Sequence, residues 1–193
     1  MASVVQICNS ALNQLGAGAI TALTENSKNA RLCNARYETV RDAVFRSHPW
    51  NCLIKRQQLA ADSDTPSWGF TYQFTLPADC LRVLGIDSHD SNYKIEGRKV
   101  LISSSSVKLV YISQITDPNE MDVLLRETIS ASLAADMAYS ITANNQMARL
   151  FADKYALKLS EARHTDASEG YNTDPTLAPT DQIITEDFIN SRY

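Results

Sequence analysis

The sequence predicts an α+β fold: an antiparallel helical bundle, a small antiparallel β-subdomain inserted into it, and a flexible C-terminal arm. Three observations predict it. Apolar residues recur at steps of three and four through residues 3–48 and again through 117–164, the period of helices with one buried face. Between these stretches the period falls towards two, in short runs broken by turn residues. After Asp166 no period survives. Helices that flank strands in sequence must still share a core, so insertion is the simplest arrangement. The boundaries predicted are 1–50 with 114–166 for the helical domain, 51–113 for the β-subdomain and 167–193 for the arm.

The first helix is predicted over Ser3 to Leu15, with Val4, Ile7, Cys8, Ala11, Leu12 and Leu15 on its apolar stripe and Gly16 as its stop. A loop anchored by Ile20 and Leu23 leads to the second helix. There Ala30, Cys33, Tyr37, Val40 and Val44 stack on one face, with Lys28, Arg31, Glu38, Asp42 and Arg46 opposite. Arg41 and Phe45 fall at the edge of the stripe, placed to face a neighbour. His48 precedes Pro49 and is pushed towards extended backbone, so the helix ends there.

Strands are predicted over 51–60, then from Trp68, where Trp68, Phe70, Tyr72 and Phe74 alternate with smaller residues to give an aromatic face. Further strands cover 80–87, a hairpin about Gly97 and residues 107–113, which together imply one small antiparallel sheet. Asp117-Pro118-Asn119-Glu120 has the form of a capped helix start. Met121, Leu125, Ile129, Leu133, Met137 and Ile141 follow at every fourth residue, amid alanines and serines that admit a close neighbour. Thr142 to Asn145 breaks this helix, with asparagine suited to a left-handed turn residue. The last helix is predicted over Gln146 to His164, with Met147, Leu150, Phe151, Tyr155 and Leu159 inward. A connection this short makes the pair antiparallel, each about 30–36 Å long. The arm ends in an apolar cluster, Ile183, Ile184, Phe188, Ile189 and Tyr193, read as a docking segment that orders on a partner.

Length and composition bound the function. The chain has 193 residues, of which 44% are hydrophobic and 21% charged, enough for a substantial core. No apolar run approaches the roughly 18 residues that span a bilayer, and no signal peptide is recognisable, so no membrane anchor is expected and a soluble chain made in a cytoplasm is. Glu169, Asp174, Asp181, Glu186 and Asp187 stand against Arg192 alone in the arm, which accounts for the net charge of −4 and leaves a neutral body. A neutral body is unlike a dedicated DNA-gripping domain, which presents a basic face.

Chemistry is sparsely signalled. Cys8, Cys33, Cys52 and Cys80 lie at spacings of 25, 19 and 28 residues and read as small buried side chains, not as a zinc site. His48, His89 and His164 have no companion at ligand spacing, so no metal site and no cofactor is expected. A thiol nucleophile from Cys33 or Cys52 with His48 uses residue types too common to carry weight. Phosphate loops, zinc-protease helices and serine elbows are absent. The best enzyme reading is glycan hydrolysis by paired carboxylates, Asp62 with Asp64 or Asp79 with Asp87 or Glu96, beside an aromatic strand that stacks on sugars. The plainer reading makes those acids solvated turn residues and that aromatic stripe sheet core.

Four stretches resemble a known family. They are T-E-N-S-K-N-A-R-L-C-N-A-R-Y-E-T-V-R-D-A-V-F-R-S-H-P-W-N, F-T-L-P-A-D-C-L-R-V, Y-K-I-E-G-R-K-V-L and Y-I-S-Q-I-T-D-P. In this order they resemble the tail tubular protein A family of short-tailed phages of the coliphage T-seven type, over most of residues 1–165. The resemblance implies a virion structural protein: a head-tail connector, the adaptor or gatekeeper ring beneath the portal, usually of twelve copies. It implies as partners the portal protein, the tail nozzle protein, the tail fibre and, in passing, the double-stranded DNA that leaves through the ring. It implies a helical bundle carrying a β-subdomain and a place in the virion tail. It carries over no catalytic residue. A head-to-tail ring needs two different complementary faces per subunit. The neutral, fairly polar body predicts a free protein that is monomeric or weakly associated. A generic binding module of the host cytoplasm is the remaining alternative.

Overall fold

The computed structural model describes residues 2–87 and 92–169. The described chain has an α+β fold of four helices and two small antiparallel sheets, in two compact units. One unit holds residues 2–53 and 114–169, the other residues 54–113.

The helical unit begins with α1 (Val4–Gln14). Ser3 caps it with a reciprocal pair: its hydroxyl accepts from the Gln6 amide at 3.2 Å, and the Gln6 side chain accepts from the Ser3 amide at 3.0 Å. Ser27 likewise caps α2 (Lys28–Arg46), accepting from the Ala30 amide at 3.1 Å. The stripe Ala30, Cys33, Tyr37, Val40, Val44 is buried as its spacing predicts. Arg41 and Phe45, expected at the edge, are buried too. Arg41 reaches Asp42 at 2.8 Å and lies within 6 Å of the Tyr37 and Phe45 ring centres, so its charge is compensated inside the unit.

Asp117 does cap a turn, but only a 3-10 turn at Pro118–Glu120. Met121 then takes extended backbone and ends it. The long helix α3 (Val123–Thr142) starts at a second cap, Asp122, whose carboxylate accepts from the Leu124 and Leu125 amides at 2.8 and 3.3 Å. Two amides captured make Asp122 the stronger helix start. α3 is the centre of the unit: α1, α2 and α4 all pack against it. Its buried small residues Ser130, Ala131, Ala134 and Ala138 permit that crowding.

The turn after α3 places Ala143, not an asparagine, in the left-handed region (φ 52°, ψ 28°). Asn144 is used instead as a cap, accepting from the Gln146 amide at 2.8 Å. α4 (Asn145–Glu169) runs past the predicted end at His164. Residues 167–169, assigned to the arm from sequence, are therefore helical. The inward-facing Asp166 supplies the reason, since it anchors the last turns. Leu150, expected inward, is exposed. α4 packs along a single helix, so its buried stripe is narrow, and Leu150 falls about 100° from the buried Phe151.

The β unit contains β1 (Ile54–Leu59), β2 (Tyr72–Thr75), β3 (Cys80–Asp87), β4 (Tyr93–Glu96), β5 (Lys99–Ile102) and β6 (Val107–Ser113). They form two three-stranded antiparallel sheets, ordered β1-β6-β3 and β2-β5-β4, where one sheet was expected. Each sheet has one apolar face. Leu59, Cys80, Val107, Leu109 and Tyr111 of the first and Phe74, Val100 and Ile102 of the second close a single core between them. β1 and β6 pair along their lengths, from Ile54 opposite Ile112 to Leu59 opposite Val107.

The aromatic strand is shorter than predicted. Gly69 (φ +87°) interrupts the run, pairing begins at Tyr72, and Trp68 is 85% exposed. Of the four aromatic residues only Phe74 is fully buried. Residues 51–53 form a 3-10 turn belonging to the helical unit, and Cys52 there is exposed, unlike the buried Cys8, Cys33 and Cys80. The arm residues Ile183, Ile184, Phe188, Ile189 and Tyr193 lie outside the described residues, as does His89.

Candidate functional site

The H-P-W-N word at the end of α2 builds a clamp on the end of α4. Pro49 ends the helix, and the chain turns so that Trp50 returns against it. The Trp50 indole N–H donates to the Val44 carbonyl at 3.0 Å, and the His48 ring meets it edge-on at 4.8 Å. His48 and Asp166 are both buried and approach at 3.0 Å, Nε2 to Oδ2. The Asn51 amide donates to the same carboxylate at 3.0 Å, and the Asn51 side chain donates to the Asp166 carbonyl at 2.6 Å. Arg163, one turn earlier on α4, donates to the Ser47 carbonyl at 2.8 Å. A buried carboxylate is costly unless its oxygens are satisfied, and here they are. The histidine–carboxylate pair resembles half of a nucleophilic triad. Asp166 is not among the candidate residues; a helix continued two residues past His164, with Asp166 four positions after the buried Ala162, is the signal for it. Cys33 is hydrogen-bonded to the Cys8 thiol, which holds the Cys33 thiol below the ordinary value, and burial pushes the Cys52 thiol up. The clamp ties the end of α2 to the last turns of α4.

Three of the five candidate acids, Asp62, Asp79 and Asp87, are ion-paired. Asp62 accepts from the Lys99 ammonium at 2.9 Å and from the Thr75 hydroxyl at 3.0 Å, and the Lys99 bond holds its carboxyl below the usual range. Burial works against ionisation at Asp79, but Lys55 at 2.9 Å and the Tyr111 hydroxyl at 3.2 Å outweigh it, and its carboxyl is also lowered. Asp87 lies 3.6 Å from Lys108. A glycan-cleaving general acid needs a carboxyl raised towards neutrality, and neither shift has that sign. Beside Asp62 a shallow cleft of about 320 Å³ is lined by Trp68, Phe70, Gln73, Lys94, Glu96 and Lys99. Among the described residues no cluster of three His, Cys, Asp or Glu is placed to hold a metal ion, and no helix is long and apolar enough to cross a membrane.

The four words that carry the resemblance bond to one another. Asp42, in the first, accepts from Gln114, in the fourth, at 2.7 Å. Asp79, in the second, accepts from Tyr111, in the fourth, at 3.2 Å. Arg98, in the third, donates to the carbonyls of Pro77 and, at 3.3 Å, Ala78 in the second. The Leu76 amide returns a bond to the Arg98 carbonyl at 2.9 Å. These residues position backbone turns and strand ends. Comparison with protein-family models and with curated proteins finds no match to this chain.

Proposed function

We propose that this chain is the subunit of a phage-tail adaptor ring, which joins the portal to the nozzle, helps seat the tail fibres and lines the channel through which the genome leaves. One observation supports this reading above others: the four separated sequence words interlock in space. Chance matches scattered along a chain have no reason to be hydrogen-bonded to one another, whereas a family signature that specifies a scaffold does. Within the helical unit, Asp42 of the first word ties α2 to Gln114 of the fourth, and within the β unit, Asp79, Arg98 and Tyr111 tie the second, third and fourth words together. The role is structural, and no residue is assigned to catalysis. The paired, lowered carboxylates of Asp62 and Asp79 make the glycan-hydrolase alternative the weaker reading, although a scaffold does not by itself dictate function.

Cosedimentation with portal-bearing, DNA-filled capsids that lack tails tests the proposal. The expected result is saturable binding at a stoichiometry near that of the portal ring. Absence of binding would overturn it, and glycan hydrolysis lost on Asp62→Asn with the fold intact would establish the alternative.

A further inference from the structure

The outer face of the β2-β5-β4 sheet carries a buried amide with no partner among the described residues. Phe74, Val100 and Ile102 fill the core, so alternation sets Gln73, Leu101 and Lys94 on the other face, in one row across the three strands. Thr75, Lys99 and Glu96 form the next row. Residues 65–70 wall this face and enclose with it the cleft of about 320 Å³. Gln73 lines that cleft and is only 9% exposed. Its carbonyl accepts from the Asp62 amide at 2.9 Å, but its side-chain amide bonds to none of the described residues. A side chain so covered normally has its donors and acceptors answered.

Two more lining groups are free. Among the described residues the Lys94 ammonium and the Glu96 carboxylate form no ion pair, whereas Lys99 is held by Asp62 at 2.9 Å. Lys94 and Glu96 stand two positions apart on β4, about 7 Å, so the cleft is flanked by one donor and one acceptor whose charges cancel. Trp68, on the wall, leaves its ring in the open, with the half-buried Phe70 two positions on.

An aromatic plate beside donors and acceptors of no net charge suits a sugar. A pyranose ring has an apolar C–H face that lies on an indole, and an edge of hydroxyls that each donate and accept. Ions fit poorly, because the two free charges offset each other. Extended peptides fit poorly too, because β5 is paired on both sides and the face offers no main-chain ladder. The volume is at the small end of ligand sites, with room for a short stretch of a glycan. We propose that this cleft binds a neutral saccharide, stacked on Trp68 and bonded through its hydroxyls to Gln73, Lys94 and Glu96. Glu96 is the one carboxylate among the lining residues, and glycoside cleavage uses two, so the site holds a sugar without cutting it. The inference goes beyond the adaptor reading and does not rest on it.

Saturation-transfer NMR of the full chain with maltotriose, cellotriose and triacetylchitotriose tests it, with inorganic phosphate as the ionic control. At least one trisaccharide is expected to bind and to shield Trp68 from iodide quenching, to which the buried Trp50 does not respond. Trp68→Ala should weaken that binding about tenfold with unchanged circular dichroism, because the ring is exposed. Gln73→Leu should weaken it about fivefold while the urea midpoint holds or rises, whereas an amide needed for the fold would lower the midpoint. Binding of none of the three sugars, binding of phosphate in their place, or binding that survives Trp68→Ala would each overturn the site. Release of shorter sugars from a bound trisaccharide would overturn binding without cleavage.

Discussion

Replacing Asp166 by alanine should destabilise the helical unit by about 2–4 kcal/mol. The carboxylate accepts two bonds, from His48 at 3.0 Å and from the Asn51 amide at 3.0 Å. A hydrogen bond to a charged group contributes about 1.5–3 kcal/mol. The His48 side is buried, so its donor loses its acceptor where water does not enter. Asn51 is exposed, and its amide can turn to water at a loss of about 0.5–1 kcal/mol. The bond from the Asn51 side chain to the Asp166 carbonyl is a backbone contact and survives the substitution. Asp166→Asn keeps the volume and one amide oxygen, serves one of the two donors, and should cost about half as much. The assay is urea unfolding followed by far-UV circular dichroism. With a slope of about 2–3 kcal/mol per molar, the alanine variant's midpoint should fall by about 1 M. An alanine variant within about 0.5 kcal/mol of the parent would refute the clamp and reduce the pairing to decoration of a helix end held by apolar packing.

Two further outcomes follow from local geometry. Ala143→Gly should raise stability by about 0.5 kcal/mol, since a left-handed alanine costs about 1 kcal/mol and glycine's greater freedom in the unfolded chain returns part of that. Thermal melting reads the sign, and a lower melting point would mean that the Ala143 methyl group packs. Asp62→Asn should destabilise the protein at neutral pH and make no difference well below pH 3.8. The Lys99 bond lowers the folded carboxyl below its ordinary value of 3.8, so the contribution is full above that value and is lost as pH falls through the folded pKa. Urea midpoints at several pH values check this, and a penalty that persists in acid would contradict the ion pair.

Period and punctuation made most of the secondary structure legible. The stripe of α2, the stop at Pro49 and the runs 80–87 and 107–113 are local properties, and local rules found them. What failed was what depends on neighbours. Arg41 looked like an edge residue because charge is normally kept outside; Asp42 and two aromatic rings overrode that. Trp68 and Phe70 alternated like a strand, but alternation is silent about the hydrogen-bonding partner that a strand requires. Leu150 was placed inward because a periodicity identifies an apolar stripe without giving its width, and the width is set by how many helices pack around α4. Asp166 was invisible as a site residue for the same reason: its partners, His48 and Asn51, are more than a hundred positions away. The two-sheet division of the β unit likewise depends on which edges meet, and that is not written in any one run.

The pairing of Ile54 with Ile112 bears on how this chain can change over time. Opposed residues on antiparallel strands are about 5 Å apart, so the chain leaves residue 53 and returns to residue 114 through a gap that a tight turn can bridge. The excursion between these points is closed by its own ladder, and lengthening such an excursion adds only about 0.6 kcal/mol of closure entropy per doubling. The β unit is therefore an exchangeable cassette. Its loops can be lengthened, its cleft reshaped or its whole sheet pair replaced by another module with adjacent ends, while the helices keep their covalent geometry. A lineage under pressure to recognise new partners can thus diversify residues 54–113 rapidly and leave the rest of the chain alone.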